Sequence, residues 1–280
     1  MAKADELGIS LIDTAPLYGC GEAEQIVGEY VDPSSRTVIF DKIGRFEASI
    51  VRRRADEAYR SHELIKAQVS HSLRTLRRES LDCMFIHEAD DEAWGGELVS
   101  GSAPVLEVLQ ELKDKGVVKS IGISLRDPSL AAELAATNLY DAVLFVHYAN
   151  IVWQESKTVA VEAASASGMG IAIGAPFRRG LLLDGSKIRI EQLLRDRPKG
   201  FTSGAIERLR RLQKLANTSG LTLGELGLRY LLSDTRIHSV LVGVETPAQL
   251  TENARWAANG PLPREIMEAI IAVREVELGE

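Results

Sequence analysis

In GISLIDTAPLYG, residues 8 to 19, an acid and a phenol stand five positions apart: Asp13 ends an apolar run and Tyr18 lies in the loop beyond it. Two more polar residues occupy similar places, Lys42 in TVIFDKIG and His87 in DCMFIHE. A phenol with a pKa of about 10 is a poor proton donor near neutrality, and an adjacent ammonium lowers that value. Lys42 would supply the charge, and Asp13 the carboxylate that keeps a buried ammonium paired. His87, as a neutral imidazole, would orient a substrate carbonyl or relay a proton. Such a set protonates a carbonyl oxygen while a second agent delivers hydride to its carbon. Each residue also has a plainer reading: a turn or cap for Asp13, packing for Tyr18, a structural hydrogen bond for His87. Lys42 is the least ordinary, an ammonium inside an apolar strand.

Strands and helices must bring these four to one place. Seven short apolar runs recur, at residues 10 to 15, 37 to 44, 82 to 88, 120 to 125, 141 to 148, 170 to 176 and 239 to 244. They are continuous rather than alternating, as strands buried on both faces should be. Helical spacing fills the intervals near residues 22 to 30, 60 to 79, 104 to 115, 129 to 137, 155 to 168, 204 to 218, 222 to 233, 247 to 257 and 263 to 276. Asp127-Pro128 and Thr246-Pro247 read as helix starts. The alternation predicts repeated βαβ units and a single α/β domain over residues 1 to 280, a (β/α)8 TIM barrel whose strand ends share one mouth. Seven strands are legible where closure asks for eight, so the sequence predicts an incomplete barrel with the absent strand before Met1. Residues 181 to 203 are the longest irregular interval, expected to overhang the site as a loop.

Composition narrows the chemistry further. The chain carries 33 Lys and Arg against 40 Asp and Glu, a balance that argues against nucleic acid as partner. Cys20 and Cys83 are too few for a disulfide framework or zinc knuckle. No apolar run approaches the roughly 18 residues that span a membrane, and MAKADELG lacks a signal core, so a cytoplasmic protein is expected. A metal-dependent hydrolase built on Asp13, Lys42 and His87 fits poorly, since only His147 offers another ligating imidazole at a strand end. No metal site is expected.

DTAPLYG, the strand lysine of DKIGR, and the IHE that follows SLRTLRRESLD resemble the aldo-keto reductase superfamily over residues 3 to about 257. GAPFRRGLL and YANIVWQES lean towards its aldose and L-galactose dehydrogenase-like branches. The resemblance implies a (β/α)8 barrel, a bound NAD or NADP, a small carbonyl or alcohol substrate, and a tetrad at Asp13, Tyr18, Lys42 and His87. It also implies cofactor contacts at Ser124 and Gly174, at Arg178 or Arg179, and along VGVETPAQLTENA at Gly243, Glu245, Gln249 and Asn253. Leu125 and Leu144 stand where the family carries polar carboxamide anchors, and Glu245 where it carries a cation for the 2′-phosphate. A carboxylate there favours ribose hydroxyls, so NAD is expected over NADP. The lost anchors and strand also leave open a catalytically weak barrel acting as a nucleotide-binding or regulatory subunit. Substrate specificity is expected in loops near Trp94, Trp153 and residues 181 to 203.

Overall fold

The protein is described by a computed structural model covering residues 1–46, 55–147, 149–180, 182–183, 187–196 and 201–277. Among the described residues, seven parallel strands follow one another in space in chain order. They are β1 (Leu11–Asp13), β2 (Val38–Ile43), β3 (Cys83–Ile86), β4 (Ile121–Leu125), β5 (Ala142–Val146), β6 (Gly170–Gly174) and β7 (Ser239–Leu241). Parallel neighbours need a crossover, and helices supply it. The strands are shorter than the apolar runs, mostly at their C-terminal ends, because residues there turn out of the ladder. Arg45, Glu88, His147 and Ala175 all take left-handed φ within two residues of a strand end. That conformation is uncommon outside glycine, and here it recurs at the rim.

The chain forms two compact units, Met1–Leu144 with Glu162–Ile171, and Phe145–Val161 with Ala172–Glu280. In the first, β1 pairs with β2, β2 with β3 and β3 with β4, with Asp13 beside Phe40 and Lys42 beside Phe85. Strands β3 and β4 are buried along their whole length, while β1 is half-buried. The helices of this unit include α1 (Ala2–Glu6), α2 (Glu22–Tyr30), α3 (Ala55–Ala58), α4 (His62–Thr75), α5 (Glu97–Ser100), α6 (Pro104–Asp114) and α7 (Pro128–Ala136). Ser61 caps α4 by accepting from the Leu64 N–H, and Asp127 caps α7 ahead of Pro128. Helices α2 and α4 touch at Gly28, where a Cβ would stand 2.0 Å from the Thr75 carbonyl oxygen. Only a residue without a side chain permits that approach.

The next helix, α8 (Gln154–Ala166), is divided between the units. The second unit holds α9 (Lys187–Asp196), α10 (Ser203–Thr218), α11 (Leu223–Leu232), α12 (Pro247–Ala258) and α13 (Arg264–Ala272). Here β6 pairs with β7. Phe177, Leu228 and Trp256 form a core cluster against Val240 and Val242. Thr246 and Gln249 close a capping box that starts α12. The expectation of an irregular stretch over 181 to 203 is corrected: α9 occupies Lys187–Asp196. Its apolar residues Ile190 and Leu193 are buried, and that spacing of three is helical. The rest of that interval lies partly outside the described residues.

Candidate active site

Asp13 is the last residue of β1, and the Thr14 N–H still reaches the Phe40 carbonyl of β2 at 2.9 Å. The chain then reverses through Gly19, Cys20 and Gly21, all at positive φ, to enter α2. That reversal leaves Tyr18 beside the strand ends with its side chain 38% exposed, open to a substrate. Side chains alternate along β2, so Phe40 and Lys42 share one face, and Asp41 and Ile43 take the other. Lys42 is 1% exposed, and its ammonium donates to Asp13 Oδ1 at 2.6 Å and to the Thr14 carbonyl at 2.7 Å. The same Nζ lies 4.8 Å from the centre of the Tyr18 ring.

His87 follows β3, with its N–H donating to the Ile43 carbonyl at 2.9 Å. Its ring meets that of Tyr18 edge to face, centroids 6.1 Å apart. Its Nδ1 is buried and has no hydrogen-bond partner among the described residues. The structure therefore brings Asp13, Tyr18, Lys42 and His87 together at the C-terminal ends of β1, β2 and β3. Burial first, then the positive charges of Lys42, Arg45 and Arg126, push the His87 pKa down to about 3. The imidazole is neutral across the physiological range. Burial also opposes the Lys42 charge, but Asp13 and Tyr18 outweigh it and raise the ammonium pKa, so Lys42 stays protonated.

Tyr18 departs from expectation. Although 38% of the residue's surface is open, the phenol stands among packed protein atoms: the loss of water around it raises its pKa more than the Lys42 charge lowers it and, with Asp13 and Asp41 acting the same way, the net shift is upward. The phenol is therefore firmly protonated at neutral pH.

Sequence reasoning missed the rim around His87. Arg45 binds Glu88 at 2.6 Å, and Arg126 binds Asp90 at 3.1 Å and Glu88 at 3.5 Å. This clustering of charge just past β2, β3 and β4 was visible only as scattered charged residues. Trp94, expected in a specificity loop, is 2% exposed. It packs on Tyr59 and Phe46, and its indole N–H donates to the His87 carbonyl at 3.0 Å. It braces the His87 backbone from below. Trp153 is likewise buried, against Phe201.

Among the residues expected at the cofactor, Ser124 lies on β4 and is 2% exposed, with Leu125 beside it buried. Leu144 on β5 is also buried. The others belong to the second unit. Gly174 ends β6. The Arg178 guanidinium lies over the Trp153 ring at 4.4 Å and the Phe201 ring at 5.0 Å, whereas Arg179 is exposed and makes no ion pair among the described residues. Gly243 and Glu245 are exposed beyond β7. Gln249 Oε1 is occupied: it accepts from the Glu245 N–H at 2.7 Å and, closing the capping box, from the Thr246 N–H at 3.3 Å. Asn253 is buried on α12, and no hydrogen bond to its side chain exists among the described residues.

Parallel strands alternating with helices, and a paired ammonium, phenol and imidazole at consecutive strand ends, define an enzyme of the α/β-barrel class. The sequence matches the Aldo/keto reductase family over residues 1–275, and the chain belongs to that family of nicotinamide-dependent oxidoreductases. Its relatives include D-threo-aldose 1-dehydrogenase of a Pseudomonas species, 26% identical over 92% of this chain and 82% of that protein. NADH-specific methylglyoxal reductase of Escherichia coli (strain K12) is 25% identical over 96% of this chain and 86% of its own. L-galactose dehydrogenase of Arabidopsis thaliana is 25% identical over 90% and 74%. In fold the chain is similar to an aldo-keto reductase from Bacillus halodurans in its holo form, with a TM-score of 0.74 and 23% identity over 100% of this chain and 87% of that one.

Proposed function

We propose that this oxidoreductase interconverts an aldehyde, ketone or sugar carbonyl with the corresponding alcohol, using Tyr18 as general acid in reduction and general base in oxidation. The observation that carries the reading is the Lys42 ammonium, bound to Asp13 at 2.6 Å and set 4.8 Å from the Tyr18 ring centre, with His87 edge-on to that ring. Asp13 and the Thr14 carbonyl fix the ammonium, which stabilises the phenolate left when Tyr18 gives up its proton. His87, neutral, orients the substrate oxygen without competing for that proton. The 38% exposure of Tyr18 leaves room for a carbonyl to reach it.

A bound nicotinamide would supply or accept the hydride. The chain offers groups that fit such a dinucleotide. In the first unit Ser124 could hold a carboxamide. Taken by itself, the second unit offers Arg179, without an ion pair among the described residues, for a pyrophosphate and the Asn253 amide for an adenine. Gln249 fits less well, since its carbonyl oxygen already caps α12. Glu245 is exposed and repels a 2′-phosphate, which favours NAD over NADP. The NADH specificity in the name of the Escherichia coli relative is consistent with this preference.

The test is spectrophotometric: nicotinamide absorbance is followed with a panel of aldehydes, ketones and sugars, in both directions. Turnover that disappears in Tyr18→Phe supports the reading, and no turnover with any of them refutes it. A second reading, a nucleotide-binding barrel of little activity, is favoured by the buried apolar side chains of Leu125 and Leu144. Calorimetric binding of NAD without turnover would select it.

A further inference from the structure

Behind the Lys42 strand lies a group of oxygens that the catalytic scheme does not use. Asp41 precedes Lys42 on β2 and points to the opposite face, among Ile39 and Ile43 and towards the helices. Glu24 reaches it from α2 and Ser72 from α4; all three are 0% exposed. Their meeting follows from the Gly28 crossing. Glu24 lies one turn before Gly28, and Ser72 lies three residues before Thr75, whose carbonyl the glycine touches. The Ser72 hydroxyl is turned towards both carboxyls and the Lys42 backbone N–H towards Asp41, yet among the described residues none of the four carboxyl oxygens nor the serine Oγ completes a hydrogen bond of good geometry.

Two carboxylates sharing one hydroxyl cannot both stay ionised at zero exposure without completed hydrogen bonds, and a proton is the least costly compensation. The groups acting on Asp41 are Glu24 from α2, Ser72 from α4 and Lys42 on its own strand. From β3 the register partner is Met84, which is apolar, while Cys83 sits in the fields of Lys42 and Asp13. Asp13 from β1 is engaged with Lys42.

We propose that Asp41 and Glu24 form a proton-holding pair behind the active site, and that Asp41 is a positioning residue whose charge, acting through the Lys42 strand, makes Tyr18 harder to ionise. The proposal deepens the general-acid reading of Tyr18 and rests on it for its catalytic meaning. The electrostatics of the two carboxyls agree with it. Burial, then the Glu24 charge, raises the Asp41 pKa to about 8, and burial raises that of Glu24. The Asp41 charge acts on both Tyr18 and Lys42, raising each. Near neutrality Asp41 is protonated and silent. Above about 8 it becomes an anion behind Lys42 and makes the phenol harder to ionise.

The experiment is an absorbance titration of the Tyr18 phenolate between about pH 6 and 11, read as the difference from Tyr18→Phe. It is done in the wild-type background and in Asp41→Asn, which keeps the shape of the neutral acid. The expected result is a lower titration midpoint in Asp41→Asn, because the anion that raised it is gone. An unchanged or higher midpoint overturns the coupling.

Stability supplies a second readout. A carboxyl whose folded pKa is raised gives stability that is full below its unfolded value and is lost as pH rises through the folded one. From pH 6.5 to about 8 the urea midpoint of the wild type should fall, and that of Asp41→Asn should fall less. Equal curves overturn the proton-holding pair. If Asp41→Asn does not fold, Glu24→Gln replaces it and should move the fall to lower pH; an unmoved fall is equally decisive. Neither readout involves turnover. An inactive protein with a shifted phenol titration would refute the catalytic reading and leave this one standing.

Discussion

At the scale of the residue, the direction of the Tyr18 shift governs the expected chemistry. A phenol whose pKa is raised by burial is an acid at neutral pH and becomes a base only in alkali. Carbonyl reduction should therefore hold its rate through neutrality and decline at alkaline pH, while alcohol oxidation should rise with pH. Initial rates in both directions across a pH series check this, and parallel profiles would contradict it. Tyr18→Phe should lower both rates by about 10²- to 10⁴-fold with an unchanged circular dichroism spectrum, since only the proton is removed. Asp13→Asn is expected to cost more than rate. It leaves the 1% exposed Lys42 ammonium facing a neutral amide and the Thr14 carbonyl with no counter-charge, and unpairing a buried charge costs about 3–5 kcal/mol. Urea unfolding at neutral pH measures that loss. The four side chains were legible in the sequence because their types stood out at the ends of apolar strands. The sign of the phenol shift was not, because burial is a tertiary property and here exceeds the Lys42 charge that spacing suggested.

At the scale of the element, legibility followed local rules. Strands β3 and β4 read as unbroken apolar runs because they are buried on both faces, and α7 and α12 announced themselves through Asp127-Pro128 and Thr246-Pro247. The interval over 181 to 203 misled because its charged residues mask a helix that buries only a narrow stripe, including Ile190 and Leu193. The inward packing of Trp94, with its indole tied to the His87 carbonyl, had no local signal either. The crossing of α2 and α4 was invisible, since Gly28 in a helix has no local signature. That crossing carries its own prediction. Gly28→Ala places a methyl 2.0 Å from a backbone carbonyl that cannot rotate away, so the helices must separate. Overpacking of this kind costs about 1–3 kcal/mol, and here the expectation lies at the upper end or beyond. Thermal unfolding checks it, and a wild-type melting temperature would show the helices free to shift.

At the scale of the whole molecule, a net charge of −7 leaves the surface acidic, while the buried ionisable groups sit in specific pairs within it. Global stability should therefore follow those few groups more than the net charge. His87 dominates the acid side. Its folded pKa is depressed to about 3 from an ordinary 6.5, so the unfolded chain binds the proton first. The sign follows directly: the contribution is fully present above 6.5 and is lost as pH falls towards about 3, at up to about 1.4 kcal/mol per pH unit. Asp41 slopes the other way between its unfolded value near 3.8 and its folded value of about 8, which flattens the wild-type curve where the two overlap. Subtracting a variant separates them. His87→Gln removes the imidazole titration and keeps a polar group of similar reach. The stability difference between wild type and His87→Gln should shrink, or reverse in sign, as pH is lowered from 6.5 towards 4. Urea midpoints at four or five pH values measure it. A difference that stays constant would mean that His87 takes up its proton in the folded protein, and the imidazole assigned to orient the substrate would then be a cation.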